Sequence, residues 1–500
     1  MATLDVAHPL YEAFRLDYDQ MAHCYAGSRV VKMHGTRYLP ATRSMLIDGG
    51  PNLDREPGKS AYEAYKTRAI FPDLVGNAAR TLTGLAFKDP SVYELPAGME
   101  ELFDSATLEG ESLETLHRRI VEQILIYGRF GLAIDVPEGE GLPYFVSYEG
   151  RSILNWDDSL ISRGRQNPFN FVVTAEEVFR RSDTYDWTTD ILYRSFELRD
   201  GVYQTWTEED ALVTSPVAPS YRGRTLDFVP FTIIGSQDLS ATPNPIPLLG
   251  LSESALAIYR GEADYRQALH LTAQDTLVLI GVGDGTEDDD DQPIRVGAGA
   301  VVRLPPDGDA KFIGVTSEGL TEQRLTLGDD YRNASSEGSR LLENTAAQAE
   351  SGEALKVRIA AKTTTLTTVA LTAASGLEQA LRQMALWVGA DPNEVRVKPN
   401  LDFTQDHLAA QDVLNLQQAQ NEGLPISAQS IHDKLRDRDY TELTFEEEID
   451  LIRKEKADGI TELLKPAPPT PALVAGVEQP GDESTPADAQ DDEEPTGDDA

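Results

Sequence analysis

The stretch that most constrains this chain runs from Thr345 to Gly389, TAAQAESGEALKVRIAAKTTTLTTVALTAASGLEQALRQMALWVG. Leu355, Ile359, Thr363, Leu366, Ala370, Ala373, Leu377, Leu381, Met384 and Val388 recur at three- and four-residue intervals, the apolar stripe of a helix. No proline interrupts it. As one helix it is about 50 Å long at about 1.5 Å per residue, longer than a small domain is wide, so something extended must lie beside it. The β-branched run from Thr363 to Val369 also suits a strand, and Ser375-Gly376 reads as a kink. Just before the stripe, Gln348, Ala349, Glu350, Ser351 and Gly352 read as a short polar loop.

A chain of 500 residues exceeds one ordinary core, so two or more packed regions are expected. The formal net charge is -40, and the ten Asp and Glu beyond Lys465 face no Lys or Arg there. A chain so acidic does not grip DNA through Lys and Arg displacing counterions, and binding to anionic membrane surfaces is likewise disfavoured. Cys24 is the single cysteine, which excludes intrachain disulfides and a thiolate zinc cluster. No stretch approaches the roughly 20 apolar residues of a membrane span, and the N-terminus lacks a basic start followed by an apolar core. The reading is therefore of a chain used in cytosol-like solvent, with no membrane partner.

Taken in order, Ala61 to Phe87 reads as a helix broken by Pro72, with Ile70, Leu74, Ala78, Leu82 and Leu85 on one face. Glu111 to Tyr127 is a second helix, leading past Gly128 into a strand from Phe130 to Val136. Pro143 to Asp157 is an extended piece, a turn at Glu149-Gly150 and a short apolar run. Phe169 to Val178, Asp190 to Glu197, Gly201 to Thr207 and Phe228 to Ile234 alternate as strands of one antiparallel sheet. The first half is α+β.

Pro245 and Pro247 mark a boundary. Beyond it Leu251, Ala255, Ile258, Tyr265 and Leu269 trace a helix with Ser252 as its N-cap and Glu253 in its first turn. Then come a strand in TLVLIGVGDG, an acidic tip, short strands at Ala300 to Leu304 and Lys311 to Val315, and a returning helix from Leu320 to Ala346 weakened by Gly328 and Gly338. Two antiparallel helices holding a small tip away from the body make a stalk. With little apolar surface of its own, a stalk of this kind packs against copies of itself. After Gly389, segments at Val395 to Val397 and Leu401 to Phe403 read as extended, and helices are expected at His407 to Asn421, Ser427 to Arg436 and Phe445 to Lys456. Pro466 to Ala500 reads as a disordered acidic tail.

This order of elements resembles the portal protein of tailed double-stranded DNA bacteriophages, the head-to-tail connector family. The segments that carry the likeness are AYEAYKTRAIFPDLVGNAARTLTGLAF, YGRFGLAIDVP, PYFVSYEGRSILNWD and the ALKVRIA run entering a long helix that ends in Trp387-Val388-Gly389. They span about Ala61 to Lys456, and it is their order and spacing that count. The resemblance implies an N-terminal extension (1–60), an α+β wing (61–249), a first stem helix (250–273), a small β-containing clip (274–315) and a second stem helix (316–344). A tunnel loop (345–353), a long kinked wing helix with return strands (354–406), a helical crown (407–465) and the tail (466–500) follow. It also implies a homo-oligomeric ring, usually of twelve subunits, at one capsid vertex beside the major capsid protein. Such a ring is a channel for DNA packaging and ejection. Its clip tip, here Asp288, Asp289, Asp290 and Asp291, docks the large terminase subunit during filling and a head-tail adaptor afterwards.

The same resemblance places Gln348 to Gly352 against double-stranded DNA that passes through without sequence-specific binding. Lys356, Arg358 and Lys362 lie close behind that loop and are candidate DNA-backbone contacts, against the blander reading of helix-surface salt-bridge partners. The acidic tip also suits Ca²⁺ or Mg²⁺ chemically, but its spacing is not that of an EF-hand loop and a solvated tip explains it as well. Gly281, Gly283 and Gly285 read as turn glycines, since no G-x-x-x-x-G-K-[ST] occurs. The seven histidines form no H-E-x-x-H, His23 beside Cys24 is a lone pair, and no G-x-S-x-G elbow exists. No enzyme, cofactor or metal site is expected. The four tryptophans read as core or subunit-interface residues. The competing readings are another phage structural ring, such as a neck or minor capsid protein, or an acidic cytosolic enzyme without a recognised motif.

Overall fold

The computed structural model describes residues 3–137, 141–160, 168–181, 183–209, 212–272, 276–280, 309–313, 318–339, 352–401, 403, 427–436 and 443–457. They fall into two units, residues 1–404 and 405–500. Helices α1 (Pro9–Ala26), α2 (Ser28–Met33), α3 (Arg43–Gly49), α4 (Gly58–Arg68), α5 (Leu74–Ala86) and α6 (Leu113–Tyr127) precede the main sheets, with a short strand β1 (Val92–Glu94) between the last two. Strands β2 (Arg129–Asp135), β3 (Tyr144–Glu149), β4 (Ile153–Asp157), β5 (Phe171–Arg181), β6 (Trp187–Arg199), β7 (Val202–Glu209), β8 (Leu212–Val213) and β9 (Phe231–Gly235) follow. Then come α7 (Leu249–Thr272), β10 (Thr276–Ile280), β11 (Asp309–Ile313), α8 (Glu318–Ser339), α9 (Gly352–Val388) and β12 (Arg396–Lys398). The class is α+β, as expected.

The sequence reasons for these elements are local. Pro72 separates α4 from α5, as its missing N–H demands. Ile70, expected on the common apolar face, instead lies in the break and is exposed, because the break re-aims the chain, whereas Ala78 and Leu82 are buried. Ser112 caps α6, its Oγ accepting from Thr115 N at 3.2 Å. The helix ends at Gly128, whose φ of +70° is the left-handed cap that glycine adopts freely. Leu113, Leu116, Ile120, Ile124 and Tyr127 are all buried, as their spacing predicts.

The strands form two separate main sheets, ordered β3-β2-β9 and β4-β5-β6-β7-β8, all of whose ladders are antiparallel. This corrects the single sheet expected for the first half. Phe231–Gly235 pairs with β2, from Arg129↔Gly235 to Ala133↔Phe231, and all five of its residues are buried. Such a fully buried run does not announce its neighbour, because pairing is decided across about 100 residues of chain rather than locally.

The five-stranded sheet turns Trp156, Val172, Phe196 and Tyr203 inward. Beneath it Arg129 is fully buried, donating from Nε to Gly150 O at 3.1 Å and from Nη2 to Ile153 O at 2.6 Å. Its guanidinium lies 4.8 Å from the Trp156 ring centroid and 5.5 Å from that of Tyr18. The first 60 residues contribute to the same core. Tyr18, Met21 and Cys24 of α1 and Val31 of α2 are buried in it.

The second unit holds helices Ala428–Arg436 and Phe445–Ala457. Ser427 Oγ accepts from Ser430 N at 3.1 Å. Thr444 and Glu447 form a reciprocal capping box, with Thr444 N donating to Glu447 Oε2 at 2.9 Å and Glu447 N to Thr444 Oγ1 at 3.4 Å. Both helices match the sequence reading. The expected helix at His407 to Asn421 and the acidic tail lie outside the described residues.

Candidate functional site

The candidate site is the excursion formed by α7, the β10–β11 pair and α8, together with the long helix α9 that follows. Helix α7 starts at Leu249, four residues before the start that Ser252 as N-cap implies, so Ser252 is not its N-cap. Ser252 lies inside the first turn, buried, with its Oγ donating to Leu249 O at 2.7 Å and accepting from Gln20 Nε2 at 2.9 Å. The hydroxyl thus ties α7 to α1 instead of opening the helix. Leu251, Ala255, Leu256, Ile258, Tyr259 and Ala263 are buried, and α7 packs on α1, α4 and α5.

At the edge of the body three polar contacts hold α7. Arg260 Nε donates to Tyr38 O at 3.0 Å, Tyr65 OH donates to Asp264 Oδ1 at 2.6 Å, and Arg68 donates to Gln267 Oε1. Burial, followed by the hydrogen bond to Asp264, pushes the Tyr65 phenol far above its ordinary value, so it remains a donor. Beyond Asp264 the helix continues for two more turns, about 12 Å, and exposes Leu269 and Leu271.

Strands β10 and β11 then pair from Thr276↔Ile313 to Ile280↔Asp309. The first residue of one pairs with the last of the other, so α7 ends and α8 begins at the same end of the ribbon. The two helices therefore run antiparallel. They approach closely at Gly261, where an added Cβ would lie 2.9 Å from Leu327 Cδ2. Tyr331 OH donates to Glu262 Oε1 at 3.4 Å, and Arg266 Nε donates to Glu262 Oε2 at 2.6 Å. Among the described side chains of α8, Leu327 and Ala334 are buried and Leu325 is exposed.

Among the described residues the order is thus helix, paired strands and antiparallel helix. Asp288, Asp289, Asp290 and Asp291, the glycines 281, 283 and 285, and the expected strand at Ala300 to Leu304 lie outside the described residues.

The long helix is continuous over 37 residues, about 55 Å, so the strand reading of its Thr-rich middle gives way to helix. The threonines fit because their hydroxyls donate back along the axis, Thr368 Oγ1 to Thr364 O and Thr372 Oγ1 to Thr368 O, each at 2.9 Å. Leu366, Ala370, Ala373, Leu377, Leu381 and Met384 are buried as the stripe predicts, and Val369 beside them is buried too. Gly376, read as a kink signal, has a packing role. A Cβ there would lie 2.5 Å from Ile234 Cγ1, so only glycine lets α9 sit on β9 this closely.

At its end Trp387 is fully buried, with Nε1 donating to Arg224 O at 3.0 Å, while Arg224 Nη1 returns a bond to Leu386 O at 2.9 Å. Gly389 closes the helix at φ +90°. The Trp-x-Gly ending therefore locks α9 to the segment between β8 and β9. Gly352 is the first residue of α9, and Lys356, Arg358 and Lys362 fall within its first three turns, their side chains outside the described residues. Gln348, Ala349, Glu350 and Ser351 also lie outside them.

His23 and Cys24 do not make a catalytic pair. Burial pushes the Cys24 thiol up to about 12, opposite to the shift a thiolate nucleophile requires. His23 turns to Tyr38 instead, with Nδ1 and the phenol oxygen 2.6 Å apart, and its ring lies tilted against that of His34 at 3.7 Å between centroids. No group of three or more His, Cys, Asp or Glu suited to a metal occurs among the described residues, and no described helix is long and apolar enough to cross a membrane.

A family model described as a domain of unknown function (DUF4055) matches residues 247–388, from just before α7 to the end of α9. No curated protein matches the chain. Among solved structures, the chain is similar to one from the virion of a native gene transfer agent particle, at 15% identity and a TM-score of 0.38, over 75% of this chain and 91% of that one. It is also similar to a chain in the neck of the native particle, computed with C12 symmetry, at 14% identity and a TM-score of 0.37, over 79% and 94%. A chain from the neck of the empty particle, computed with C6 symmetry, matches at 14% identity and a TM-score of 0.37, over 75% and 92%.

Proposed function

We propose that this chain is a portal subunit. It assembles with copies of itself into a ring at one capsid vertex, through which double-stranded DNA is packaged and later ejected. It is a conduit and a docking platform rather than an enzyme. The observation that carries this reading is the excursion of α7, the β10–β11 ribbon and antiparallel α8 from the body, followed directly by the 37-residue α9. A neck ring or minor capsid protein, the competing structural reading, requires no such excursion.

The distal turns of α7 and α8 leave Leu269, Leu271 and Leu325 in solvent. Packing each stem between two neighbours in a ring buries those side chains, at about 25 cal/mol per Å² of apolar surface removed from water. In this reading the ribbon is the clip, and Asp288 to Asp291, which lie between its two strands in the sequence, dock the terminase and then the adaptor.

The net charge of -40 suits a channel. Each phosphate that a Lys or Arg neutralises adds affinity, and affinity is drag on a duplex that must slide. In this reading Gln348 to Ser351, together with Gly352 at the start of α9, are the tunnel-loop residues that face the duplex, and Lys356, Arg358 and Lys362 make brief phosphate contacts behind them. Deleting Gln348 to Gly352 is expected to leave ring assembly intact and to impair packaging or retention of DNA, read as full particles per assembled capsid. Normal filling and retention by the deletion would remove the loop assignment.

A further inference from the structure

The five-stranded sheet has an outer face that the core does not use. Residues paired directly across an antiparallel ladder share a face, so Phe171, Val173, Glu177, Phe179 and Arg181 of β5 lie with Glu197, Ser195, Ile191, Thr189 and Trp187 of β6. At one end this face is a groove of about 760 Å³, walled on one side by the chain's own N-terminal segment. Leu4 N donates to Glu208 Oε2 at 2.7 Å and Asn155 Nδ2 donates to Val6 O at 2.8 Å, which pins that wall in place.

The groove is lined by Leu4, Val6, Phe171, Val173, Trp206 and Val213 among others. Its main polar groups satisfy one another, since Trp206 Nε1 donates to Glu197 Oε1 at 2.6 Å and Arg199 Nε pairs with the same oxygen at 2.5 Å. A groove with apolar rings and internally paired polar groups suits apolar side chains rather than an ionic ligand.

At the other end β5 and β6 run on without a third strand. The β4 ladder on β5 stops at Thr174 and the β7 ladder on β6 stops at Tyr193, whereas β5 and β6 stay paired out to Arg181↔Trp187. This two-stranded arm exposes Phe179 (69%), Trp187 (61%) and Ile191 (49%) on the same face as the groove. A two-stranded ribbon is marginal alone, and aromatic surface of this size in solvent marks a contact site. The arm cannot reach its own groove. Both belong to one continuous ladder, and Trp187 lies about 26 Å along β6 from Ser195 at about 3.3 Å per residue.

We infer that the occupant of the groove is the β5–β6 arm of a second copy of this chain, with Phe179, Trp187 and Ile191 seated against Phe171, Val173, Trp206 and Val213. The contact joins two different patches, so it propagates from copy to copy and closes only if the rotation per subunit allows. Three large apolar side chains are less than the roughly 800 Å² per partner of a standard interface, which fits one contact among several between neighbours rather than a lone dimer interface. It rests on the ring reading for its closure alone.

The test uses full-length protein carrying Trp187→Cys or Val213→Cys, both at exposed positions, and a short bis-maleimide; Cys24 is buried and the parent chain is the control. Mixing the two single variants is expected to give cross-linked dimers, and the double variant a ladder of multimers. Adding Phe179→Glu and Trp187→Glu to a chain carrying Ile191→Cys is expected to abolish its cross-linking to the Val213→Cys chain. Self-cross-linking of Trp187→Cys alone, which would mean arm against arm, overturns the inference. Absence of cross-links in the mixture overturns it too, even where the native mass still shows a ring. A cross-linked ladder of open chains without a fixed mass supports the contact and removes the ring.

Discussion

At the scale of single residues, His117 carries the clearest chemical consequence. It is buried on α6, with Nδ1 3.0 Å from Tyr93 OH and the Phe87 ring 5.0 Å away edge-on, and burial pushes it down to about 3 from an ordinary 6.5. The folded state therefore holds it neutral while the unfolded chain protonates it. Its contribution to stability is complete above pH 6.5 and is lost as pH falls from there towards 3, at about 1.4 kcal/mol per pH unit. Urea midpoints measured between pH 6.5 and 4.5 are expected to fall more steeply for the parent than for His117→Gln. Equal slopes would show that His117 is not held neutral. Neither His117 nor Arg129 was legible as a buried polar residue. A polar letter inside an apolar run has no local mark of burial, and what decides it here is remote, such as Gly150 O, Ile153 O and Trp156 around Arg129.

At the scale of elements, close approach is set by glycine. Gly376 sits on Ile234 and Gly261 on Leu327, in each case without room for a Cβ unless the neighbour moves. Gly376→Val is expected to destabilise the fold by about 1–3 kcal/mol, as overpacked cores do, and more than Gly319→Val at an open site on α8. Matched denaturation curves check this, and equal effects would contradict it. Much of the element order was legible because helical period is a local property: the stripe from Leu366 to Met384, the Pro72 break, and the α7–ribbon–α8 sequence. The division of strands between two sheets was not, because register and neighbour choice are long-range. Helix α1 was missed although its signals are present. Pro9 stands at its first turn after His8, whose Nδ1 accepts from Leu10 N at 3.1 Å, and Tyr11, Phe14, Tyr18 and Met21 recur at helical spacing. Its interleaved charges hid the stripe.

At the scale of the whole molecule, the proposed function requires self-association. The exposed leucines of α7 and α8, the arm's exposed aromatics and the apolar groove are surfaces that one copy leaves open and that the proposed ring would cover. The strong acidity fits that proposal, since a ring with few free Lys and Arg would not grip a duplex passing through it. The site residues that the portal resemblance nominates, the loop from Gln348 to Gly352 and the tip from Asp288 to Asp291, were nominated by their place in the chain rather than by chemistry. Small polar and acidic letters of that kind carry no motif, so their roles follow from the ring or not at all. The most direct measurement is the native mass and shape of the full-length protein, by light scattering with negative-stain electron microscopy. Twelve copies of the 54.8 kDa chain come to about 660 kDa, and the account predicts a closed ring near that mass with a central hole. A monomer or dimer at every salt concentration and protein concentration tried would contradict it.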